Sequence, residues 1–596
     1  GAAGAGAAGA NVSGGSVSSG RVSTQGLSRE TPDTPELVPG AGTLPPQPLP
    51  GRYAAVVEQA KERFRRGDLF EVVPGHVFHE RCASPSRFYE RLRERNPAPF
   101  EFVFNLGPAG GQSDGGAGEY LVGASPEMYV RVTGDRVETC PISGTIARGA
   151  DPLEDAANIV RLLGSAKEES ELTMCTDVDR NDKSRVCVPG SVQVIGRRQI
   201  EMYSRLIHTV DHIEGRLRPG FDALDAFLTH MWAVTVTGAP KAWAMQFIED
   251  SEDTARRWYG GAVGKIGFDG SMNTGLTLRT AHIAGGIAAV RVGATLLYDS
   301  DPEAEERETH IKARALLETL REVEEARLAA DRAVTGPAEA ELAASGSAGY
   351  PESSQGGAVP AARPLRVLLV DHQDSFVHTL ADYFRQHDAE VTTLRAGFPA
   401  ALLDDIAPDL VVLSPGPGRP ADFRCDELLT ELDRRRLPAF GVCLGLQAMV
   451  EHAGGELSLL PEPQHGKPGQ VRVRPACDSA LLAGLPAEFT AARYHSLYAT
   501  EADVKGGFTV TASTADGVVM AIEDAAAARW AVQFHPESIL TAAGRAGHQV
   551  IANVLAQCRA RVTASALRRH RRPAGNTARH RLAASRRPFG PAASDR

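Results

Sequence analysis

Apolar and polar positions alternate in blocks along residues 364–560, and the block lengths predict strands that alternate with helices. Three apolar runs have the length of buried strands: Arg366–Val370, Leu410–Leu413 and Ala439–Val442. Ser375–Gln386 repeats its apolar positions with the helical period, and another helix is predicted to begin at Leu444. This rhythm predicts a doubly wound α/β domain, with a parallel sheet covered by helices on both faces.

Residues 51–330 show a more mixed pattern. Alternating or apolar runs predict strands at Tyr120–Ala124, Met128–Val132 and Val137–Thr139. The helical period predicts helices at Tyr53–Arg66 and Glu303–Arg321. A Gly-rich insert at 107–118 is typical of a loop between two strands. This block is therefore predicted to be a second α/β domain.

Three further segments have compositions that do not support a packed core. Residues 1–50 consist mainly of Gly, Ala, Ser and Pro, which predicts disorder. Residues 331–363 have the composition of a linker, and residues 561–596 form a basic, Arg- and His-rich tail. The tail is interpreted as a solvated segment rather than as an anion-binding arm.

Size, charge and cysteine content exclude several classes of protein. A length of 596 residues is sufficient for two to four domains of about 150 residues each. The net charge of −10 argues against a nucleic-acid partner. No apolar run reaches the ~18 residues that cross a membrane, and the first residues do not resemble a secretory signal. The cysteines form no CxxC pair, so neither a disulfide framework nor a zinc site is expected, and the cytoplasm is the predicted location.

A candidate nucleophile lies between the apolar run at Ala439–Val442 and the helix that follows. Cys443 is flanked by Gly441 and Gly445, small residues that permit the sharp turn on which an exposed nucleophile sits. The helix N-terminus is expected to lower the thiol pKa from about 8.5. The alternative is an ordinary buried cysteine of an α/β core.

The partners for such a nucleophile occur about ninety residues later in the sequence. His535 follows an apolar strand and Glu537 is close enough to orient its imidazole, which completes a nucleophile, a base and an orienting carboxylate. The backbone amides of Gly416 and Leu444 are the candidate oxyanion donors.

The motifs Ser414–Gly418, Gly441–Gln447 and Gln533–Ser538 occur in the order found in the class I (triad) glutamine amidotransferases, which this region resembles over 364–560. The resemblance implies a flavodoxin-like fold that hydrolyses L-glutamine and releases ammonia. It also implies that Gln447, Ser496 and Leu497 bind the substrate glutamine.

In the N-terminal block, acidic residues suggest a metal. Glu305 and Glu308 share one face of a predicted helix, and with Glu171 they could hold Mg²⁺, which prefers carboxylate and water oxygens. On spacing alone, a solvated acidic helix start is the favoured reading. Arg279 stands in a strand-like apolar run, where an unpaired charge is costly, so an anionic partner is plausible.

Five segments of this block resemble the chorismate-utilising enzymes, most closely the anthranilate synthase large component: Gly67–Val73, Gly123–Glu127, Asp182, Thr237–Lys241 and Tyr298–Glu305. The order of the two blocks resembles the fused bacterial anthranilate synthases. The resemblance implies the α/β sandwich of that family and the substrates chorismate and glutamine. It leaves the oligomeric state open and allows a homodimer.

The resemblance assigns roles to individual residues. It implies that Glu171, Glu305 and Glu308 bind Mg²⁺, that Glu127 is the general acid for loss of the C4 hydroxyl, and that His208 lies beside this leaving group. The positions that match chorismate-contacting residues are Thr145, Thr235, Tyr259, Arg279, Gly293 and Lys312. The implied reaction is Mg²⁺-assisted attack of ammonia at C2, followed by elimination of pyruvate to give anthranilate.

Departures from the family pattern bear on the product. Glu71 stands where many relatives have Gln and water-using isochorismate synthases have Lys, which argues against water as the nucleophile. Ser143 replaces the Lys of many aminodeoxychorismate synthases, which makes para-aminobenzoate chemistry less favoured. The family's feedback segment has no counterpart in residues 1–50, so the chain is expected to be truncated or to have lost it, and feedback inhibition is not carried over.

Two other functions stay open at this point. An aminodeoxyisochorismate synthase would add ammonia and keep the pyruvyl group. A non-catalytic chorismate-binding domain would only regulate the glutaminase.

Overall fold

The computed structural model of the chain describes residues 43–108, 118–203, 205–332, 363–475 and 477–570. Residues 1–42, 333–362 and 571–596 lie outside the described residues, as does the centre of the Gly-rich insert, and the predictions made for them stay predictions. Residues 43–50 lie along the N-terminal domain, where the Gln47 side-chain amide donates a hydrogen bond to the His79 carbonyl at 2.6 Å.

Several helices of the N-terminal domain begin or end at residues with clear capping chemistry. The Asp151 side chain accepts hydrogen bonds from two backbone amides at the start of α3, and Ser165 caps α4 in the same way. Gly67, with a φ of 82°, ends α1 in the left-handed region. The helices are α1 (Arg52–Arg66), α2 (Pro85–Arg95), α3 (Pro152–Gly164), α4 (Ala166–Ser184), α5 (Ala223–His230), α6 (Lys241–Ser251) and α7 (Pro302–Arg332).

Two antiparallel sheets form the centre of the N-terminal domain. The first has the order β2-β14-β13-β4-β3 and packs against α2 and α7 through buried aliphatic and aromatic side chains. The second has the order β11-β12-β5-β6-β9-β7, with β8 also paired to β9, and packs against α5. A short pair, β1 with β10, lies apart from both.

The strand bounds of this domain are β1 (Glu71–Val72), β2 (Gly75–Arg81), β3 (Phe100–Pro108), β4 (Gly118–Ser125), β5 (Met128–Thr133), β6 (Arg136–Thr139), β7 (Ile142–Ala147), β8 (Gln193–Met202), β9 (Leu206–Arg216), β10 (Gly238–Ala239), β11 (Ala262–Ile266), β12 (Met272–Leu276), β13 (Thr280–Ala284) and β14 (Ile287–Gly293).

The C-terminal domain is built on one sheet with the order β16-β15-β17-β18-β23-β22-β21-β19-β20. Its strands are β15 (Leu365–Asp371), β16 (Ala389–Arg395), β17 (Leu410–Leu413), β18 (Ala439–Val442), β19 (Ser458–Val473), β20 (Glu488–Tyr498), β21 (Thr509–Ser513), β22 (Val519–Asp524) and β23 (Arg529–Val532). Its helices are α8 (Val377–Gln386), α9 (Leu402–Ile406), α10 (Cys425–Arg435), α11 (Leu444–His452) and α12 (Ala546–His570).

Helices cover both faces of this sheet. Side chains of α8 and α12 pack on one face, and side chains of α10 and α11 pack on the other. Short 3₁₀ turns complete the described chain at Val234–Val236, Pro420–Phe423, Glu501–Asp503, Ile539–Thr541 and Ala543–Arg545. No described helix combines the length and the apolar character needed to cross a membrane.

Three predictions about these elements require correction. The sheet of the C-terminal domain is parallel only from β16 to β23, because β19 to β22 follow one another without crossover helices and pair antiparallel. The segment after residue 560 is helical as far as His570, as a continuation of α12, whose buried positions before it belong to the core. Arg279 does not lie in a strand but in the turn between β12 and β13, with a φ of 47°.

Helix α4 has an unusual environment. All fifteen of its residues from Ser170 to Ser184 are buried, although many are charged or polar. The helix packs against β7 and β9 of its own domain and against α8 and β19 of the C-terminal domain. Its polar side chains therefore lie between the two domains.

Candidate active sites

The Cys443 turn lies where β18 meets α11, and it is possible only because two glycines flank it. A Cβ on Gly441 would lie 2.5 Å from the carbonyl carbon of Gly445, and a Cβ on Gly445 would lie 2.6 Å from the Leu413 oxygen. Cys443 itself has a φ of 52°, a strained value for a residue with a side chain. The sequence therefore builds the sharp turn that a nucleophile elbow requires.

The three predicted triad residues come together in a buried site. The Glu537 carboxylate accepts a hydrogen bond from Nδ1 of His535 at 2.8 Å. The Cys443 thiol is oriented by the Tyr494 carbonyl at 3.5 Å and by the Gln533 amide at 3.4 Å. Exposed fractions of 2%, 0% and 1% for Cys443, His535 and Glu537 show that bulk water is excluded.

Electrostatics at this site favour a charged imidazole. Burial lowers the pKa of His535, but the Glu537 charge and the neighbouring Cys443 thiol outweigh it, so the pKa lies well above the ordinary value. Within the described chain, Nε2 of His535 is buried without a hydrogen-bond partner. The raised pKa makes His535 a strong base, and Nε2 is the nitrogen that receives the thiol proton to give the charged imidazole.

Four of the five predicted glutamine-binding residues contact one another in pairs close to the Cys443 turn. Gln447 lies one helical turn after Cys443, and its amide donates to the Leu497 carbonyl at 3.3 Å. A Cβ on Gly416 would lie 3.0 Å from the Leu444 side chain, so these two oxyanion candidates are neighbours. Ser496, in contrast, turns its hydroxyl towards the N-terminal domain and donates to the Phe64 carbonyl at 2.8 Å.

A second site occupies a cavity of the N-terminal domain that is open to solvent. Its walls bring together predicted residues from nine separate parts of the sequence. The predicted site residues that line it are Glu127, Thr145, Glu171, His208, Thr235, Tyr259, Arg279, Gly293 and Lys312. Glu305 and Glu308 lie outside the lining.

Glu127 is held as a neutral acid in this cavity. Burial raises the pKa of its carboxyl to about 8, against a smaller opposing effect of the Thr235 hydroxyl, which donates to it at 2.8 Å. A carboxyl that keeps its proton at neutral pH can donate that proton to a leaving group. The predicted role of Glu127 as a general acid is compatible with this environment.

His208 is held as a neutral base on the same cavity wall. Burial and the nearby Arg279 cation lower its pKa to about 3. Its Nδ1 lies 3.0 Å from the Gly144 carbonyl, which can only accept, so the proton resides on Nδ1. Nε2 is consequently the unprotonated nitrogen, and an anion bound to Arg279 would make it a stronger base by neutralising the cation that lowers the pKa.

Cationic groups supply a counter-charge for an anion in the cavity. Among the described residues, no carboxylate lies within ion-pair distance of the Arg279 guanidinium, and burial lowers the pKa of this side chain. Lys312 donates to the Gly293 carbonyl at 3.1 Å and pairs with Glu308 at 2.7 Å. A partly buried guanidinium with no carboxylate partner among the described residues is a site for a substrate carboxylate.

The predicted Mg²⁺ residues form an acidic cluster around Lys167. Its ammonium lies 3.0 Å from Glu305 and 3.5 Å from Glu171, and no described group of three side chains converges as around a bound metal. Glu305 nevertheless has one buried oxygen without a partner. Burial and the Glu171 charge raise the pKa of Glu168 to about 7, so the cluster carries an excess of negative charge. Its donor chemistry fits Mg²⁺.

Several residues of these sites were missed by sequence reasoning. Arg291 lines the cavity and pairs with Glu252, and a charged residue within the apolar run of β14 was a signal that could have identified it. Asp177 and Arg180 contact the segment that carries Glu537, but nothing in the local sequence indicates this.

Comparisons with known proteins agree with this two-site arrangement. The family model for chorismate binding enzymes matches residues 14–318, and that for class-I glutamine amidotransferases matches residues 368–558. The chain is 58% identical over 536 residues to an anthranilate synthase of Azospirillum brasilense, which covers 89% of this chain and 68% of the relative.

Separate large components are also similar. The anthranilate synthase component 1 of Cereibacter sphaeroides is 42% identical over 285 residues, covering 48% of this chain and 54% of the relative. The crystal structure of anthranilate synthase component I from Streptococcus pneumoniae is 31% identical and covers 49% of this chain and 63% of that one, with a TM-score of 0.42. The chain thus spans only part of the length of these relatives. It belongs to the anthranilate synthases, in the fused form that carries a chorismate-binding domain and a class I glutamine amidotransferase domain on one polypeptide.

Proposed function

We propose that the chain converts chorismate and L-glutamine into anthranilate, pyruvate and L-glutamate, the first committed step of tryptophan biosynthesis. The observation that carries this proposal is the convergence in one cavity of a neutral acid, a neutral base and an unpaired guanidinium, Glu127, His208 and Arg279. A second site in the same chain contains a cysteine nucleophile that can generate ammonia.

In the C-terminal domain, Cys443 attacks the amide carbon of glutamine after its thiol proton passes to Nε2 of His535. Glu537 stabilises the imidazolium, and the amides of Gly416 and Leu444 stabilise the oxyanion. The imidazolium then returns the proton to the leaving ammonia, and water hydrolyses the thioester.

In the N-terminal domain, Arg279 and Lys312 hold the carboxylates of chorismate, and Thr145, Thr235, Tyr259 and Gly293 form part of the cavity wall around it. Glu127 donates its proton as the C4 hydroxyl departs and ammonia attacks C2. Nε2 of His208 then accepts the C2 proton, which permits elimination of pyruvate and aromatisation of the ring.

Glu171, Glu305 and Glu308 would hold Mg²⁺ in this enzyme. When bound, the ion would supply positive charge that neutralises a substrate carboxylate. We also propose a location in the reducing cytoplasm, because all eight cysteines are free. A homodimer is a further part of the proposal, and multi-angle light scattering of the purified chain would test it.

Incubation with chorismate, glutamine and MgCl₂, followed by anthranilate fluorescence and a pyruvate assay, tests the function. A Cys443→Ala variant should lose the glutamine-dependent reaction and keep the ammonium-dependent one. Cys477→Ala is the matched control, since this half-buried cysteine lies outside both sites and should leave both reactions unchanged.

Two outcomes would contradict the proposal. A non-aromatic amino product without pyruvate would indicate an aminodeoxyisochorismate synthase. If neither glutamine nor ammonium supported turnover of chorismate while glutamate was still released, the N-terminal domain would be only a ligand-binding regulator of the glutaminase.

A further inference from the structure

Helix α4 connects the two active sites directly. Glu171, in its first half, lines the cavity of the N-terminal domain. Asp177 follows six residues later, about 9 Å along the axis at ~1.5 Å per residue, and faces the C-terminal domain. One rigid element therefore contacts the surroundings of both reactions.

The Asp177 carboxylate is saturated by groups next to the triad. One oxygen accepts from the Tyr494 hydroxyl at 3.0 Å and from the Ser538 hydroxyl at 2.5 Å. The other accepts from the Ile539 amide at 2.9 Å and from Arg180 at 2.7 Å. Three of these four donors belong to the C-terminal domain.

Arg180 contacts the backbone of a triad residue, Glu537. Its guanidinium donates to the carbonyl oxygen of Glu537 at 2.9 Å and to the Tyr383 hydroxyl at 3.4 Å. Glu537 is the residue that orients the imidazole of His535. The guanidinium thus ties down the backbone of the orienting residue.

Tyr494 extends the same contact to the nucleophile. Its hydroxyl is bonded to Asp177, its ring packs against His535 with centroids 4.9 Å apart, and its carbonyl accepts from the Cys443 thiol. The strand that carries Tyr494 and the segment that carries Glu537 both contact the triad. Both are hydrogen-bonded to the Asp177 carboxylate of the N-terminal domain.

Stability alone does not explain this arrangement. Asp177 and Arg180 are 2% and 8% exposed, and burying an ion pair costs several kcal/mol per ion, which its attraction often only offsets. The charges are compensated by hydrogen bonds to one specific segment. Such a network fixes geometry more than it adds stability.

We propose that Asp177 and Arg180 are positioning residues of the glutaminase triad, contributed by the chorismate-binding domain. Glutamine hydrolysis therefore depends on a docked α4. This inference rests on the proposed function, since it assigns the two residues to its ammonia-producing step. Neither side chain has a hydrogen bond to the proposed glutamine-binding residues, so they should affect the rate of hydrolysis and not the affinity for glutamine.

The test is an Asp177→Asn variant of the full chain, with glutamate release measured at varied glutamine. Asparagine keeps the shape but presents an amide where two donors now point. We expect kcat to fall roughly 10- to 100-fold, as for other small displacements of catalytic groups, with KM for glutamine unchanged. Ammonium-dependent anthranilate formation should stay at the wild-type level, which shows that α4 and the cavity are folded.

Two further variants make the result specific. Asp299→Asn removes a partly exposed ion pair with Lys467 across the same domain interface and should leave the glutaminase unchanged. Arg180→Gln should lower kcat, and Arg180→Lys should recover part of it, because an ammonium can still donate to the Glu537 carbonyl.

The proposal is overturned if Asp177→Asn keeps the wild-type kcat, if its loss matches that of Asp299→Asn, or if KM rises while kcat is constant. Failure of the proposed function gives a different result. In that case the wild-type chain makes no anthranilate from chorismate and ammonium, while glutamate release still reports on Asp177.

Discussion

Replacement of Glu127 by glutamine is expected to stabilise the protein at alkaline pH while it removes anthranilate formation. The carboxyl is 5% exposed and its burial raises the pKa to about 8. Glutamine has the same shape, carries no charge and still offers an oxygen to the Thr235 hydroxyl. The variant therefore removes a potential buried charge together with the proposed acid.

The magnitude follows from the pKa. The difference between about 8 and the ordinary 4.5, at ~1.4 kcal/mol per pKa unit, corresponds to at most about 5 kcal/mol. The folded protein keeps the proton at pH values where the unfolded chain has lost it. The free energy of unfolding of the wild type therefore falls as the pH rises from 4.5 to about 8, and the loss is complete above that pH.

Glutamine has no such proton, so the gap between variant and wild type should widen with pH. We expect it to be below about 1 kcal/mol at pH 5 and to approach ~5 kcal/mol at pH 8.5. In calorimetry, this is a rise of about 10 °C in the melting temperature of the N-terminal domain. Ammonium-dependent anthranilate formation should fall by ~10²–10⁴-fold, the usual contribution of a general acid.

Glu62→Gln is the matched control, because it removes a half-exposed i,i+3 pair with Arg65, and such a surface pair contributes at most about 1 kcal/mol. The reasoning is refuted if the melting-temperature difference between Glu127→Gln and the wild type is the same at pH 5 and pH 8.5. Wild-type turnover that stays constant well above pH 8 would equally contradict a protonated acid.

Three other predictions concern the base, the elbow and the metal. His208→Gln should stop pyruvate release. Because the pKa of His208 is about 3, the pH profile of the wild type should lack an inflection near 6.5 in stopped anthranilate assays. Gly441→Ala places a Cβ against the Gly445 backbone, so it should destabilise the C-terminal domain by ~1–3 kcal/mol or more, as measured by thermal unfolding. Gly164→Ala is the control, because the space around Gly164 is open, and it should stabilise the N-terminal domain by ~0.5–1 kcal/mol. Glu305→Gln should raise the Mg²⁺ concentration needed for half-maximal synthesis, and calorimetric titration of Mg²⁺ into the enzyme without substrate should show weaker binding.

The triad could be predicted from sequence because its geometry is local. A strand, two glycines and a helix start determine the position of Cys443, and the strand before His535 pairs directly with the strand before Cys443. The antiparallel half of the same sheet was not predicted, since pairing direction depends on connections that carry no periodic signal.

The resemblance identified residues that line the cavity of the N-terminal domain, but it did not show how they come together. The cavity walls extend from Val73 to Lys312, and only the long-range register of two antiparallel sheets brings them together. Neither the turn that carries Arg279 nor the neutrality of Glu127 is encoded near those residues. Both depend on burial by distant segments.

Helix α4 shows why charge patterns mislead when domains dock. A helix with Asp177, Arg180 and Lys183 would ordinarily be assigned to a solvated surface, yet each of these side chains is buried. The charged residue types at a domain interface are the same as those on a solvated surface. Only the partner surface distinguishes them.

The burial of α4 also has a consequence for exchanging modules between enzymes of this type. An amidotransferase domain fused to the chorismate-binding domain of another enzyme would contact a different helix. The residues of that helix at the positions of Asp177 and Arg180 would not match Tyr494 and Ser538 of the amidotransferase domain. The graft would fold and could bind its substrate, but it would hydrolyse slowly. A functional hybrid should therefore keep Asp177 and Arg180 at the matching positions of the acceptor's own helix, because Glu171 on the same helix lines the cavity of the N-terminal domain.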